Sequence, residues 1–249
     1  MSGGGSQIEG KNPVLEALKA GRPINRILIS NDIERHTVIA EILHLARLKR
    51  VPVDHMSGEL LKMKSLTGSS QGVIAYVSPK GYADVDGLIE EAVSKGTPAL
   101  FILLDGLEDP HNLGAILRTA DAAGVNGVII PERRSVGLTE TVSKVSAGAI
   151  EYVPVARVNN LNNAIKLFKD AGIKVVGIEG SGTKDFREAD LSVPVAIVIG
   201  GEGKGISRLV KENCDEVVNI PMKGKISSLN ASVAAGVIMY EVLRQRTKK

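Results

Sequence analysis

Ala99-Leu100-Phe101-Ile102-Leu103-Leu104 is an apolar run with no polar interruption. A strand with one wet face alternates apolar and polar residues, so a run without alternation belongs on a strand covered on both sides, as in a parallel sheet wrapped by helices. The residues downstream continue in that style. Helical spacing over 112–123, 139–147 and 160–171 is interleaved with strand-like runs over 127–130, 173–178, 195–199 and 216–220, and a long helix over 230–245 follows them. Such βα alternation predicts the α/β class with a parallel sheet.

Upstream the pattern is a smaller α/β unit of about eighty residues. Gly10-Lys11-Asn12-Pro13 opens a helix that Gly21 ends, with Pro13 suited to the first turn. A strand over 26–30, a helix over 34–49, a short strand over 51–53, a helix over 58–66 and a strand over 72–77 complete it. The glycine-rich start reads as a flexible leader over residues 1–7. Ser78-Pro79-Lys80-Gly81-Tyr82 breaks the periodicity, and 85–93 reads as a helix in a connecting segment. The expected organisation is a domain over 1–78, a linker over 79–98 and a larger domain over 99–249. A chain of 249 residues suits two ordinary cores better than one large one.

Composition narrows the function classes. Hydrophobic residues at 43% and charged residues at 24% describe a globular chain, and aromatics at 3% with no Trp argue against recognition of bases by stacking. The net charge is +3. Residues 1–80 hold eleven Lys/Arg against seven Asp/Glu, and the rest hold twenty against twenty-one, so the positive excess lies in the N-terminal third. Arg22, Arg26, Arg47 and Arg50, with Arg35, Lys49, Lys62 and Lys64 beside them, are the candidate phosphate contacts. Cys214 is the only cysteine, so no intrachain disulfide forms, and a cytoplasmic protein is expected. No apolar run approaches the roughly 20 residues of a membrane helix. The four histidines, His36, His44, His55 and His111, show no metal-ligand spacing, and His36 and His44 read as exposed helix residues.

Three short segments fall where strands run out into turns or helices, the ligand-binding end of open α/β sheets. In Asn112-Leu113-Gly114-Ala115-Ile116-Leu117-Arg118, Asn112 is placed to cap a helix. Arg118 lies among Ile116, Leu117 and Ala120, where a long cation is paired, snorkels, or addresses an anionic ligand. Gly200-Gly201-Glu202-Gly203-Lys204-Gly205 has the setting of a phosphate cradle without its pattern. The dinucleotide spacing from Gly201 and Gly203 ends on Ile206, and Gly203-Lys204 is followed by Gly205 rather than Ser or Thr. Glu202 would repel phosphate, so this loop suits a neutral or cationic ligand that its backbone approaches closely. In Ser228-Leu229-Asn230-Ala231-Ser232 either Ser228 or Asn230 caps the last helix and the other is a spare polar group. No Gly-x-Ser-x-Gly elbow occurs, since Lys144 stands two residues before Ser146.

Together these segments resemble the three motifs of the SPOUT class of RNA methyltransferases, in particular its SpoU/TrmH family of ribose 2′-O-methyltransferases. Asp109-Pro110-His111-Asn112-Leu113-Gly114 through Arg118-Thr119-Ala120 resembles the first, Val198-Ile199-Gly200-Gly201-Glu202-Gly203 the second, and Ile220-Pro221-Met222 with Ser228-Leu229-Asn230-Ala231-Ser232-Val233-Ala234 the third. On Gly10-Lys11-Asn12 and Gln71-Gly72-Val73, the N-terminal unit is similar to the small L30e-like RNA-binding domain of the enzymes that methylate a guanosine in large-subunit ribosomal RNA.

The resemblance implies a SPOUT-type parallel sheet with a C-terminal trefoil knot, which generic folding rules disfavour. It also implies a homodimer and S-adenosyl-L-methionine as methyl donor. Carried over by position, it implies that Gly200, Gly201, Ile220, Ser228 and Leu229 hold the cofactor, largely through backbone groups. Arg118 would stand by the attacking ribose hydroxyl, with Asn112, Glu202, Ser228 and Asn230 arranging the site. The expected substrate is a guanosine of large-subunit ribosomal RNA. Three alternatives are a transfer-RNA ribose methyltransferase using the same motifs, a catalytically silent RNA-binding or assembly factor, and a Rossmann dinucleotide enzyme. Glycine spacing disfavours the last.

Overall fold

Periodic burial fixes the elements in chain order, and the computed structural model describes residues 6–34 and 37–247. The first part holds β1 (Ser6–Glu9), α1 (Lys11–Lys19), β2 (Ile24–Ser30), α2 (Thr37–Leu48), β3 (Val53–Met56), α3 (Gly58–Lys64) and β4 (Val73–Val77). Then follow α4 (Val85–Ser94), β5 (Leu100–Asp105), α5 (Pro110–Ala122), β6 (Gly127–Pro131), α6 (Glu140–Val145), β7 (Val155–Val158) and α7 (Leu161–Asp170). The last stretch holds β8 (Lys174–Ile178), β9 (Lys184–Asp185), β10 (Val195–Gly200), α8 (Arg208–Asn213), β11 (Glu216–Asn219) and α9 (Ala231–Thr247). The chain separates into two units. One takes residues 1–81 together with 138–152, and the other takes 82–137 together with 153–249.

In the second unit the apolar run at 99–104 becomes β5, near the middle of a seven-stranded sheet of order β7-β6-β5-β10-β8-β11-β9. Every strand pair in it is parallel. Phe101, Ile102, Leu103 and Leu104 are fully buried, and so are Val195, Ala196, Ile197 and Val198 of β10 beside them. The Phe101 and Phe168 rings pack with centroids 4.8 Å apart and planes tilted by 55°, a geometry that adds to the gain from burial alone. Helix α4, inside the stretch read as a linker, buries Val85, Leu88, Ile89 and Ala92 in the same core as Phe101 and Phe168. Strand β7, the two-residue β9 and the short α8 carry too few residues to show a period, and sequence reading passes over them.

The first unit has a mixed four-stranded sheet of order β1-β4-β2-β3. Strands β1 and β2 run antiparallel to β4, while β2 and β3 are parallel. Val14, Leu15, Ala17 and Leu18 of α1, with Ile39, Ile42 and Ala46 of α2, fill its core against Ile8, Ile27, Ile29 and Val73 of the sheet. The leader expected over 1–7 is corrected at its end: Ser6 and Gln7 belong to β1, where pairing with Val77 and Tyr76 satisfies their backbone. Residues 1–5 of that leader, and Arg35 and His36, lie outside the described residues.

Glu9, at the end of β1, is only 1% exposed. Its carboxylate accepts from Ser65 Oγ at 2.6 Å, Leu66 N at 2.5 Å, Gln7 Nε2 at 2.7 Å, and the Thr67 hydroxyl. Burial pushes this carboxyl up, but the hydrogen bonds from Ser65, Thr67 and two backbone N–H groups outweigh it and hold the pKa below its ordinary value of 4.5. A carboxyl lowered in the folded state stabilises above its unfolded pKa, and that contribution is lost as pH falls through the folded value. At pH 7 the Leu66 and Thr67 amides are expected to exchange about tenfold or more faster in Glu9→Gln than in the native chain, the scale of one hydrogen bond to a charged group. Equal exchange in the two proteins would show that something else holds this loop.

Candidate active site

The C-terminal ends of β5, β8, β10 and β11 open toward one side of the second unit, and the loops that leave β8, β10 and β11 surround a cavity of about 510 Å³. Gly200, Gly201, Ile220, Ser228 and Leu229 all line it, together with Glu202 and Asn230. The second and third segments singled out in the sequence thus meet, although Glu202 and Asn230 lie 28 residues apart in the chain. Sequence reading missed Ile178, Glu179, Gly180 and Ser227, which also line the cavity, as does Met222 of the third motif. The available signal for Glu179 and Gly180 was their place just past the end of a buried strand, the same position that marked the glycine loop.

The glycines are required by the chain's own packing. A Cβ on Gly200 would overlap the Gly205 carbonyl group, and one on Gly201 would overlap the Gly106 carbonyl. Gly201 N donates to Asp105 O at 2.7 Å, and Gly205 N donates to Gly201 O at 3.1 Å. The close approach expected toward a ligand is therefore, at these two positions, an approach of backbone to backbone, and it folds the loop back over the end of β5.

Asn112 connects the first segment to the other two. It does not cap α5: Asp109 does, its carboxylate accepting from His111 N at 2.9 Å with Pro110 opening the helix. A proline at the first helical position fixes the start two residues before Asn112. Asn112 instead lies inside the first turn, 4% exposed. Its side-chain amide donates to Glu202 Oε1, and its carbonyl oxygen accepts from Asn230 Nδ2 at 2.9 Å. Asn230 Nδ2 also reaches Glu202 Oε1 at 3.2 Å. At the same time Asn230 Oδ1 caps α9, accepting from Ser232 N at 3.0 Å and Ser232 Oγ at 2.6 Å. One side chain both starts the last helix and ties the first segment to the second. Ser228 is exposed and faces the cavity.

Arg118 stands apart. It is exposed on α5, no hydrogen bond or ion pair with a described residue engages its guanidinium, and it is not among the residues lining the cavity. Its apolar sequence neighbours Ile116 and Leu117 are fully buried, so the helix presents the cation outward while its other face packs. Cys214 offers no nucleophile, because burial first, and Asp215 next, push its thiol up to about 11. Among the described residues no three His, Cys, Asp or Glu side chains gather in a group that could hold a metal ion, and no helix is long and apolar enough to cross a membrane.

Within the first unit the candidate phosphate contacts divide. Arg22 is corrected: its side chain is 8% exposed, paired at 2.7 Å with Glu151, itself 1% exposed, and it donates to Ser78 O. A buried cation committed to a buried carboxylate is not available to a phosphate. Arg26 pairs with Asp54 on the surface, a contact weak enough to exchange. Arg47 and Arg50 are exposed.

Asn112→Asp replaces the donated amide by a second carboxyl beside Glu202. Burial and the like charge would raise its folded pKa above the unfolded value of about 4. The destabilisation is then absent at low pH and grows as pH rises through that range. The midpoint of denaturant unfolding at pH 8 is expected to fall relative to the native chain, with the gap closing toward pH 4. A gap independent of pH would show that Glu202 and Asn112 are not coupled.

Residues 99–240 match the model described as the SpoU rRNA Methylase family, and residues 7–83 match RNA 2′-O ribose methyltransferase substrate binding. A protein of Staphylococcus saprophyticus, named as a putative TrmH family tRNA/rRNA methyltransferase, is 51% identical over 240 residues, covering 96% of this chain and 95% of that protein. One of Bacillus subtilis with the same family name is 47% identical over 239 residues, covering 96% and 95%. Among solved structures, the SpoU methyltransferase AviRb from Streptomyces viridochromogenes in complex with the cofactor AdoMet aligns with a TM-score of 0.81 at 28% identity, over 98% of this chain and 91% of that one. On the two family matches and the full-length relatives, the chain belongs to the SpoU rRNA methylase family, the RNA 2′-O-ribose methyltransferases.

Proposed function

We propose that the cavity binds S-adenosyl-L-methionine and that the chain transfers its methyl group to a ribose 2′-hydroxyl of RNA, a guanosine of large-subunit ribosomal RNA. The observation that carries this reading is the convergence of Gly200, Ile220 and Leu229 on one cavity whose rim is tied to Asn112 through Glu202 and Asn230. The residues fit the group. Ile178, Ile199 and Ile220 form an apolar wall for a purine, backbone groups of the glycine loop give polar contacts, and the charged residues lining the cavity, Glu179 and Glu202, are both acidic, which suits a cationic ligand. When bound, the cofactor supplies an electrophilic methyl group on a sulfonium. The relatives' names join transfer and ribosomal RNA; the family description over 99–240 names ribosomal RNA, and the likeness of the N-terminal unit to the domain carried by enzymes of that RNA supports the same choice.

The protein's task is then alignment, which converts a bimolecular encounter into an oriented one. Asn112, Glu202 and Asn230 fix the rim against which the ribose is placed, and Ser228 faces the same space. Arg118 stabilises the charge that develops on the 2′-oxygen and keeps its own proton, since a guanidinium does not deprotonate in proteins. The proton passes to a substrate phosphate or to another group. Exposed Arg26, Arg47 and Arg50 neutralise RNA phosphates, which makes affinity fall with salt.

Because Arg118 does not line the cavity of its own chain, the reading places it in the site of a second copy. A homodimer is favoured by the outer face of α9, where Val233, Val237 and Tyr240 recur at helical spacing with 50%, 36% and 54% exposure. The trefoil knot that the family resemblance implies belongs to the same C-terminal region, and the protein works in the cytoplasm.

Two measurements test this reading. Calorimetry with S-adenosylmethionine should show binding to the native chain and to Arg118→Lys alike, while methyl transfer to ribosomal RNA falls at least about tenfold in the variant, because an ammonium cannot reproduce the guanidinium fork. Absence of binding would favour a catalytically silent RNA-binding factor, and normal turnover of Arg118→Lys would remove the specific role of arginine. Tyr240→Glu should convert a dimer to a monomer by light scattering and abolish turnover; a dimer that persists would place the interface elsewhere.

A further inference from the structure

Glu179 follows β8, and its backbone is fixed before its side chain is considered. Its N–H donates to Val218 O at 3.0 Å, and its carbonyl accepts from Gly182 N at 3.0 Å, so the turn is clamped to the end of β11. The side chain forms an ion pair at one oxygen. Lys211 Nζ of α8 stands 2.6 Å from Oε2, and the same ammonium donates to Ser181 Oγ at 3.1 Å. The other oxygen, Oε1, lies over the glycine loop: a Cβ on Gly205 would stand 3.1 Å from it. No hydrogen bond with a described residue occupies Oε1. Glu202, the other acid lining the cavity, is already bonded by Asn112 and Asn230.

A carboxylate oxygen accepts and cannot donate, so the ligand group that meets it must carry N–H or O–H. Lys211 balances the charge through its ion pair at Oε2, which leaves Oε1, beside Gly205 of the cavity lining, as the acceptor. The apolar strand ends Ile178, Ile199 and Ile220 stand on the same side. A purine packed on them carries its ribose into the nearest polar surroundings, and a vicinal diol offers two donors to one carboxylate. Acids at the carboxyl end of a neighbouring strand serve nucleosides in this way in other open α/β sheets.

We infer that Glu179 recognises the ribose hydroxyls of the cofactor's adenosine, with Lys211 as the residue that positions its carboxylate. This rests on the cofactor reading given under Proposed function. Neither residue falls in the segments that carry the family resemblance.

The test uses the full chain and three ligands that share the nucleoside: S-adenosylmethionine, S-adenosylhomocysteine and 5′-methylthioadenosine. A fourth, 5′-methylthio-2′,3′-dideoxyadenosine, lacks the diol. Affinity of Glu179→Ala for the first three is expected to fall by one common factor, between about tenfold and a hundredfold, as for loss of a hydrogen bond to a charged group. In the native chain the dideoxy compound should bind weaker than methylthioadenosine by a similar factor, and in Glu179→Ala the two should bind alike. That coupling is not expected of a residue that only shapes the loop. Glu179→Gln, which keeps the volume, and the native-chain comparison of the two nucleosides serve if the alanine variant fails to fold. Native affinity unchanged by removal of the diol would overturn the inference, as would a loss confined to the two amino-acid-bearing ligands. A native chain that binds none of the first three would instead overturn the cofactor reading itself.

Discussion

The bond pair of Asn112, donating to Glu202 and accepting from Asn230, is the contact on which the site depends. Asn112 is buried, and a buried amide left without partners costs about 1–3 kcal/mol. Satisfying it draws together three loops, with Glu202 90 residues beyond Asn112 and Asn230 a further 28. The parallel sheet makes this possible, because it delivers the ends of β5, β10 and β11 to one side, where their loops meet. Packing then sharpens the arrangement. Backbone contact at Gly200 and Gly201 leaves no room for a side chain, so the Glu202 carboxylate is carried by a loop whose course the neighbouring strand dictates.

In the first unit, charges divide by burial into two kinds of work. Glu9 and the Arg22–Glu151 pair are sequestered and hold loops in place. A buried ion pair of this sort is fragile to loss of one partner, since the remaining charge has nowhere to go. The exposed arginines carry no such obligation and can meet a polyanion. Net charge alone conceals this distinction: with Arg22 and Glu9 both sequestered the balance of the N-terminal third is unchanged, while the arginines available to RNA are one fewer.

The parallel sheet was legible because runs such as 99–104 and 195–199 have no polar face and therefore admit one burial environment. The cavity residues were legible as a resemblance, since Gly200, Ile220 and Leu229 carry no chemistry that spacing alone could reveal. Other features were misread or passed over, most of them because they depend on long-range pairing. Ser6 and Gln7 follow three glycines and look unstructured until β4 pairs with them. Asn112 looks like a cap until Asp109-Pro110 is seen to start the helix earlier. Arg22 looks like a phosphate ligand because Glu151, 129 residues away, cannot be matched to it by composition. Glu179 is a lone acid in a turn, and only the fold places it beside Gly205.

The central claim is methyl transfer to a ribose 2′-oxygen, and the chemistry of RNA cleavage reports on it directly. Alkaline hydrolysis requires a free 2′-hydroxyl, so a 2′-O-methylated nucleotide survives as an uncleaved dinucleotide. Ribosomal RNA treated with the full chain and methyl-labelled S-adenosylmethionine, then digested with alkali, should release its label in dinucleotides. Label recovered only in mononucleotides would place the methyl group on a base and contradict the account.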